Sequence, residues 1–204
     1  MPVLICDPVL ESEYRAEREK RFPNNRDEVW EGVLVVPPMP NNEHQIVLTD
    51  VVYAFVGATN RRAGDWVLPG CNVSDREEDW VTNYREPDVA VYLSTTSAKN
   101  CGTHWMGGPD IAVEIVSPGE DPRQKLEFYA KVNTREVLIV DRDPWSIELY
   151  QLCGGKLVLI GVSNATNTAV LLSSVLPLSF QVQPDTPRPT IHIAHQMTTQ
   201  TWTA

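Results

Sequence analysis

Three residues, Asp88, Glu114 and Lys125, have the types and surroundings that a phosphodiester-cleaving site needs. Asp88 opens an apolar run, Val89-Ala-Val-Tyr-Leu93. Asp110 opens a second, Ile111-Ala-Val-Glu-Ile-Val116, and each aspartate follows a proline. Glu114 sits inside the second run, between Val113 and Ile115. An ionised carboxylate in apolar surroundings costs several kcal/mol unless it is paired, neutralised or metal-bound, so Glu114 needs a partner. Two carboxylates from neighbouring strands can share a hard cation such as Mg²⁺ or Mn²⁺, which takes oxygen ligands and keeps several waters. Such an ion polarises a phosphoryl oxygen and lowers the pKa of an attacking water. A nearby lysine would orient that water or offset charge building up in the transition state. The same residues also suit plainer work: Pro-Asp can start a strand, strand-end carboxylates cap turns or pair with Arg, and Lys125 can be a solvated helix residue. A glycosidase built on two carboxylates finds no support in six scattered tryptophans.

The elements that must position these residues follow from periodicity and turn chemistry. Residues 9–22 mix charges of both signs around Leu10, Tyr14 and Phe22, which predicts an exposed helix ended by Pro23-Asn24-Asn25. Glu28 to Val36 reads as a strand with a turn at Gly32. Asn42 is expected to cap a helix, with Gln45 three residues on as in a capping box, and the helix closes at 60–64. Trp66 to Val73 reads as a strand broken at Pro69-Gly70, and residues 75–79 as an acidic surface loop. Val89–Leu93 and Ile111–Val116 are apolar enough to be central strands. Alternation puts Asp110, Ala112, Glu114 and Val116 on one face of the second. Asp121 caps the next helix with Pro122 in its first position, and Asn133 suits its left-handed end. Strands are expected at 137–140, 147–152, 156–162 and 170–172, with Gly154-Gly155 as a hairpin turn. The expected architecture is one mixed α/β domain: a core over about 28–152, extra strands over 156–182 and a polar tail over 184–204.

The totals bound the partners. The formal net charge of −10 argues against tight non-specific duplex binding, which Lys and Arg drive by releasing counterions. The four cysteines (Cys6, Cys71, Cys101, Cys153) form no CxxC pair and read as reduced thiols. Cys101-Gly-Thr-His104 has half-site spacing for zinc but lacks a second half, and His192 and His195 lie in the polar tail. No apolar run is long enough to span a bilayer, and the start, Met-Pro-Val-Leu-Ile-Cys, lacks the basic region of a signal peptide. A cytoplasmic protein with no membrane partner is the expectation.

Several of these motifs occur in a succession that resembles the PD-(D/E)XK nuclease superfamily, and more closely its bacterial restriction-endonuclease-like branch. The likeness runs from about Glu28 to Leu152. It rests on Glu28-Val-Trp-Glu-Gly-Val-Leu-Val35, Asn42-Glu-His-Gln45, Arg85-Glu-Pro-Asp-Val89, Gly108-Pro-Asp-Ile-Ala-Val-Glu-Ile-Val-Ser-Pro118, Lys125-Leu-Glu-Phe-Tyr-Ala130 and Val137-Leu-Ile-Val-Asp141. The resemblance implies a restriction-endonuclease-like fold and Mg²⁺- or Mn²⁺-dependent cleavage of nucleic acid, with DNA the expected substrate. It assigns Asp88 and Glu114 to the metal. The position two after Glu114 is Val116 rather than lysine, and Lys125 on the following helix takes that role as in related branches. Glu43, His44 and Glu31 are weaker supporting candidates, and Asp110 is either a strand-end cap or an outer ligand. The departure at Val116 and the acidic charge leave a second reading open, a catalytically degenerate nuclease fold serving as a binding or assembly module. The loop around Trp105 and the tail after Pro184 point to self-association as a two-fold homodimer.

Overall fold

The computed structural model describes residues 2–21 and 26–204. At its centre the two apolar runs form the strands Val89–Tyr92 and Ile111–Ile115, with every residue of both buried. They pair antiparallel, Val89 opposite Val113 and Val91 opposite Ile111. On its other side Ile111–Ile115 runs parallel to Glu136–Arg142. The six-stranded sheet has the order Lys156–Asn164, Trp145–Cys153, Glu136–Arg142, Ile111–Ile115, Val89–Tyr92, Trp66–Pro69. Strands without alternation need cover on both faces, and both faces are covered.

On the face of Ile111, Val113 and Ile115 lies helix α2 (Asn42–Ala58; α1 is Pro8–Arg21), which buries Val47, Leu48, Val51, Ala54 and Phe55. Beside it packs a four-stranded antiparallel sheet of Leu171–Leu172, Leu178–Gln183, Thr190–His195 and Thr201–Thr203. Leu178, Phe180, Ile191, Ile193 and Trp202 from this sheet join the same apolar cluster. Glu136 ties the two sheets together, accepting from Ser173 Oγ at 2.5 Å and Ser174 N at 2.6 Å.

The opposite face carries helix α3 (Leu126–Lys131), whose Phe128 and Tyr129 pack with Ala112, Val137 and Ile139. It also carries a sheet of seven short strands, in the order Val3–Ile5, Val33–Val36, Glu28–Trp30, Tyr84–Arg85, Val73–Ser74, Trp105–Met106, Lys99–Asn100. The expected mixed sheet flanked by helices, with additional C-terminal strands, is therefore what forms. At Gly154 and Gly155 both φ angles are positive, 57° and 78°, as a two-residue hairpin turn requires.

The structure corrects several expectations. The stretch expected to be a polar tail is folded: residues 190–203 form two strands whose Ile191, Ile193 and Trp202 are core, because these three supply the inward positions of an otherwise polar stretch. Trp105 is no exposed loop residue, since its ring stacks on Tyr92 with centroids 3.7 Å apart. Trp105, Ile191, Ile193 and Trp202, apolar residues of the two stretches expected to mediate a dimer, are thus packed within the chain. The cap of α2 is Asn41, whose side chain accepts from His44 N, so Gln45 completes no capping box. The 66–73 run divides at Pro69-Gly70 into Trp66–Pro69 and Val73–Ser74, which join different sheets. The acidic loop is partly pinned, with Asp75 2.7 Å from Lys131 Nζ. The predicted helix stop at 23–25, with Phe22, lies outside the described residues. Among the described residues no helix is long and apolar enough to cross a membrane.

Candidate active site

The register of the central strands brings the candidate carboxylates together. Extending the pairing of Val89 with Val113 by one step sets Asp88 across from Glu114. Asp88 turns back over the end of the neighbouring strand, where Ile115 N donates to Oδ2 at 2.8 Å. His44, in the first turn of α2, places Nε2 3.2 Å from the same oxygen. Arg26 Nη1 donates to Oδ1 at 2.9 Å and also lies beside Glu86, with Nε 3.4 Å from Oε1. Burial alone would raise the Asp88 carboxyl, but His44, the Ile115 amide and Lys125 outweigh it and hold the group below its ordinary range.

Glu114 projects from the face that α3 covers. Its Oε2 accepts from Lys125 Nζ at 2.9 Å and its Oε1 from the Tyr129 hydroxyl at 2.5 Å. Lys125 arrives there because Asp121 caps the 3-10 turn Pro122–Lys125, accepting from Arg123 N, with Pro122 in the first position as expected. The ammonium is buried and also lies 2.9 Å from Glu28 Oε1. Burial would lower Lys125, but Glu114, Glu28 and Glu120 reverse this and raise it, so the amine stays charged. For Glu114 burial dominates: despite Lys125, and with Glu28 and Asp88 adding like charge, its carboxyl is pushed up to about 8. Glu86 is likewise pushed up to about 7 by burial, opposed by Arg26. Burial raises Glu120 too, against the attraction of Lys125.

The structure thus brings together Asp88, Glu114, Lys125 and His44, and leaves three weaker candidates elsewhere. Glu43 points to Arg142, with Oε2 3.2 Å from Nη1, although it neighbours His44 in sequence. Consecutive helical residues face different directions. Glu31 sits in an exposed turn at φ 47°, accepting from Asn83. Asp110 is the strand-start cap: it accepts from Leu93 N at 2.9 Å and pairs with Arg135, at the far end of the strand from Ile115. The Cys101–His104 half-site is absorbed structurally, with His104 Nε2 3.1 Å from the Arg76 carbonyl and its ring stacked on Trp80. All four cysteines are free. Sequence reasoning missed Glu28 as a site residue, along with Tyr129 and Arg26. Glu28 carried a usable signal, a carboxylate at the head of the apolar Val29-Trp30 strand. Arg26 carried none.

Residues 12–185 match the model of the Uma2 family, described as "Putative restriction endonuclease". The chain belongs to the Uma2 family. Among solved structures, "a putative nuclease belonging to DUF820 from Anabaena variabilis ATCC 29413" is similar, with a TM-score of 0.56 and 17% identity over 72% of this chain and 80% of that chain. At that identity the likeness is one of fold. No curated protein matches the chain. The Uma2 assignment makes the superfamily's divalent-metal chemistry the natural test of the site. Asp88 and Glu114 supply hard oxygen donors, and Glu28, Glu86 and Glu120 crowd them, with Arg26 and Lys125 as the cations they contact. Among the described residues no three His, Cys, Asp or Glu side chains close on one point. The chemistry of the two carboxylates fits an ion such as Mg²⁺, which takes oxygen donors and keeps several waters.

Proposed function

We propose that this chain is an endonuclease that hydrolyses phosphodiester bonds of DNA with the help of Mg²⁺ or Mn²⁺. The observation that carries this reading is the buried Lys125 ammonium, held against Glu114 next to Asp88 at the mouth of two paired strands. Asp88 and Glu114 would hold the ion, which when bound supplies Lewis acidity and an activated water.

The chain's own residues have distinct tasks. Lys125 is kept protonated, so it acts as a fixed positive charge that orients the attacking water and stabilises negative charge on the phosphoryl oxygens. It does not take a proton. Glu28 and Tyr129 hold Lys125 and Glu114 in place. His44, through its contact with Asp88, keeps that carboxylate ionised and oriented. Glu114, whose carboxyl burial pushes up to about 8, would give up that proton on taking the ion.

One observation favours a second reading, a binding module without cleavage: Arg26 already pairs with the Asp88 oxygen that an ion would need. Plasmid DNA incubated with Mn²⁺ and purified protein, beside Glu114→Ala and Lys125→Ala variants, separates the two. Nicking by the wild type and its loss in both variants supports the nuclease. Equal cleavage by all three sinks the mechanism, and no cleavage together with no Mn²⁺ bound supports the binding module.

A further inference from the structure

The central sheet ends on one side at Trp66–Pro69 and on the other at Lys156–Asn164. The first edge is blunted: it is short and finishes in a proline, which has no amide to offer a further strand. The second is open. Among the described residues no strand pairs with its outer side, and Val158, Leu159 and Ile160 are 46–50% exposed in succession. Successive residues of a strand point to opposite faces, so apolar surface is exposed on both sides of this edge. A bulge sets Leu159 opposite Tyr150 and Gly161 opposite Leu149. Ile160 is the extra residue, and the regular free edge is 156–159.

Two further observations narrow what covers it. The strand Leu171–Leu172 lies hard against Gly161, where a Cβ would meet Leu171 Cδ2 at 2.8 Å. Its more than half-exposed neighbours Val170 and Leu172 therefore extend the apolar surface beyond the edge. From Leu149 to Pro184, Lys156 is the only charged residue, in a chain of formal net charge −10. Two such chains repel over most of their surfaces. Among the described residues, this nine-residue strand edge carries no acidic side chain, and the cores of protein interfaces are depleted in charge in the same way.

We propose that this edge pairs antiparallel with the same edge of a second copy, about a two-fold axis at Val158, to give a continuous twelve-stranded sheet. That register sets Val158 against Val158 of the other copy and Leu157 against Leu159, while each Lys156 falls at the end of the pairing beside the other copy's bulge at Ile160. Apolar residues meet apolar ones, and the two lysines stand at opposite ends. The interface is isologous, as a closed two-fold dimer requires. A strand pair alone covers less than the roughly 1,200–2,000 Å² of a stable complex, so Val170 and Leu172 widen the contact and the dimer dissociates on dilution.

Sedimentation of the full chain over a concentration series tests this. The wild type is expected to pass from monomer to dimer. Val158→Lys, which puts like charges opposite each other, is expected to stay monomeric with an unchanged circular dichroism spectrum, since Val158 is already exposed. An equimolar mixture of Val158→Lys with Val158→Glu is expected to recover the dimer, because the opposed charges then attract. A wild type monomeric throughout, a Val158→Lys dimer as tight as wild type, or no recovery in the mixture overturns the pairing. Tyr53→Lys, on the exposed apolar side of α2, is the control: if it dissolves the dimer while Val158→Lys does not, the copies meet at that helix instead.

Discussion

Glu28 Oε1 lies 2.9 Å from Lys125 Nζ, as close as Glu114 Oε2 on the ammonium's other flank. Glu28 comes from the seven-stranded sheet and Glu114 from the central one, so a single lysine ties the two sheets together across the site. Removing the lysine strands two buried carboxylates, whereas neutralising Glu28 leaves Lys125 with a partner. Lys125→Met is expected to cost about 3–5 kcal/mol of stability and Glu28→Gln about 1–3 kcal/mol, read from urea unfolding at neutral pH. If Lys125→Met proves no less stable than Glu28→Gln, the lysine is not the link described.

Much of this site was legible because burial makes a carboxylate conspicuous. Glu114 stands out between Val113 and Ile115, and the caps at Asp121 and Pro122 place Lys125 near the start of its helix. Glu136 shows the limit of that inference: it is equally buried, yet three bonds from Ser173 and Ser174 satisfy it. Glu28 was missed because its partner is 97 residues away in a different sheet, a juxtaposition no local pattern reports. The last two strands, Thr190–His195 and Thr201–Thr203, were missed for a related reason. Ile191, Ile193 and Trp202 are few among threonines, histidines and glutamines, and their burial depends on pairing with Leu178–Gln183 rather than on their own propensity. The central strands Val89–Tyr92 and Ile111–Ile115 were legible, since apolar runs with glycine and proline boundaries need no tertiary information.

The metal-free protein should lose stability as pH rises through the neutral range. Glu114 and Glu86 are pushed up to about 8 and about 7 from 4.5. Between 4.5 and those values the folded chain binds more protons than the unfolded chain, so stability falls with increasing pH. Asp88 acts in the opposite sense, but its contribution is complete above its ordinary value and is lost only under more acidic conditions. Between pH 5 and pH 8 each of the two groups contributes up to about 1.4 kcal/mol of decline per pH unit inside its own window. Glu86→Gln should flatten the lower part of that slope. Denaturant unfolding across the range checks it, and a stability that climbs from pH 5 to pH 8 would contradict it.

The C-terminal strands also invite a stability test away from the site. A Cβ on Gly57, in the last turns of α2, would lie 2.6 Å from Trp202 Cζ2. The indole is wedged between the helix and its own sheet, so it cannot swing aside freely. Gly57→Ala gains helix propensity of up to about 1 kcal/mol but overpacks the contact, which costs about 1–3 kcal/mol. Net destabilisation is expected in the single variant. In a Trp202→Leu background the same Gly57→Ala change should become neutral or stabilising. A stabilising effect in both backgrounds would mean that Trp202 does not seat against this helix.

Arg26 sets the terms on which a cation reaches Asp88. Its guanidinium donates to Oδ1 at 2.9 Å, with the side chain about one-third exposed, and so competes for the lone pairs an incoming ion would use. A like charge a few ångströms from the ion weakens its binding by several kcal/mol at most in this partly solvated setting. Arg26→Ala is therefore expected to tighten Mn²⁺ binding roughly ten- to hundredfold by titration calorimetry. Without metal the same variant loses about 1 kcal/mol of stability, because Asp88 keeps His44 and the Ile115 amide. Saturating Mn²⁺ should restore the loss through its preference for the folded chain. Unchanged or weaker Mn²⁺ binding in Arg26→Ala would show that the arginine does not compete for that oxygen, and binding in neither protein would remove the metal from the site altogether.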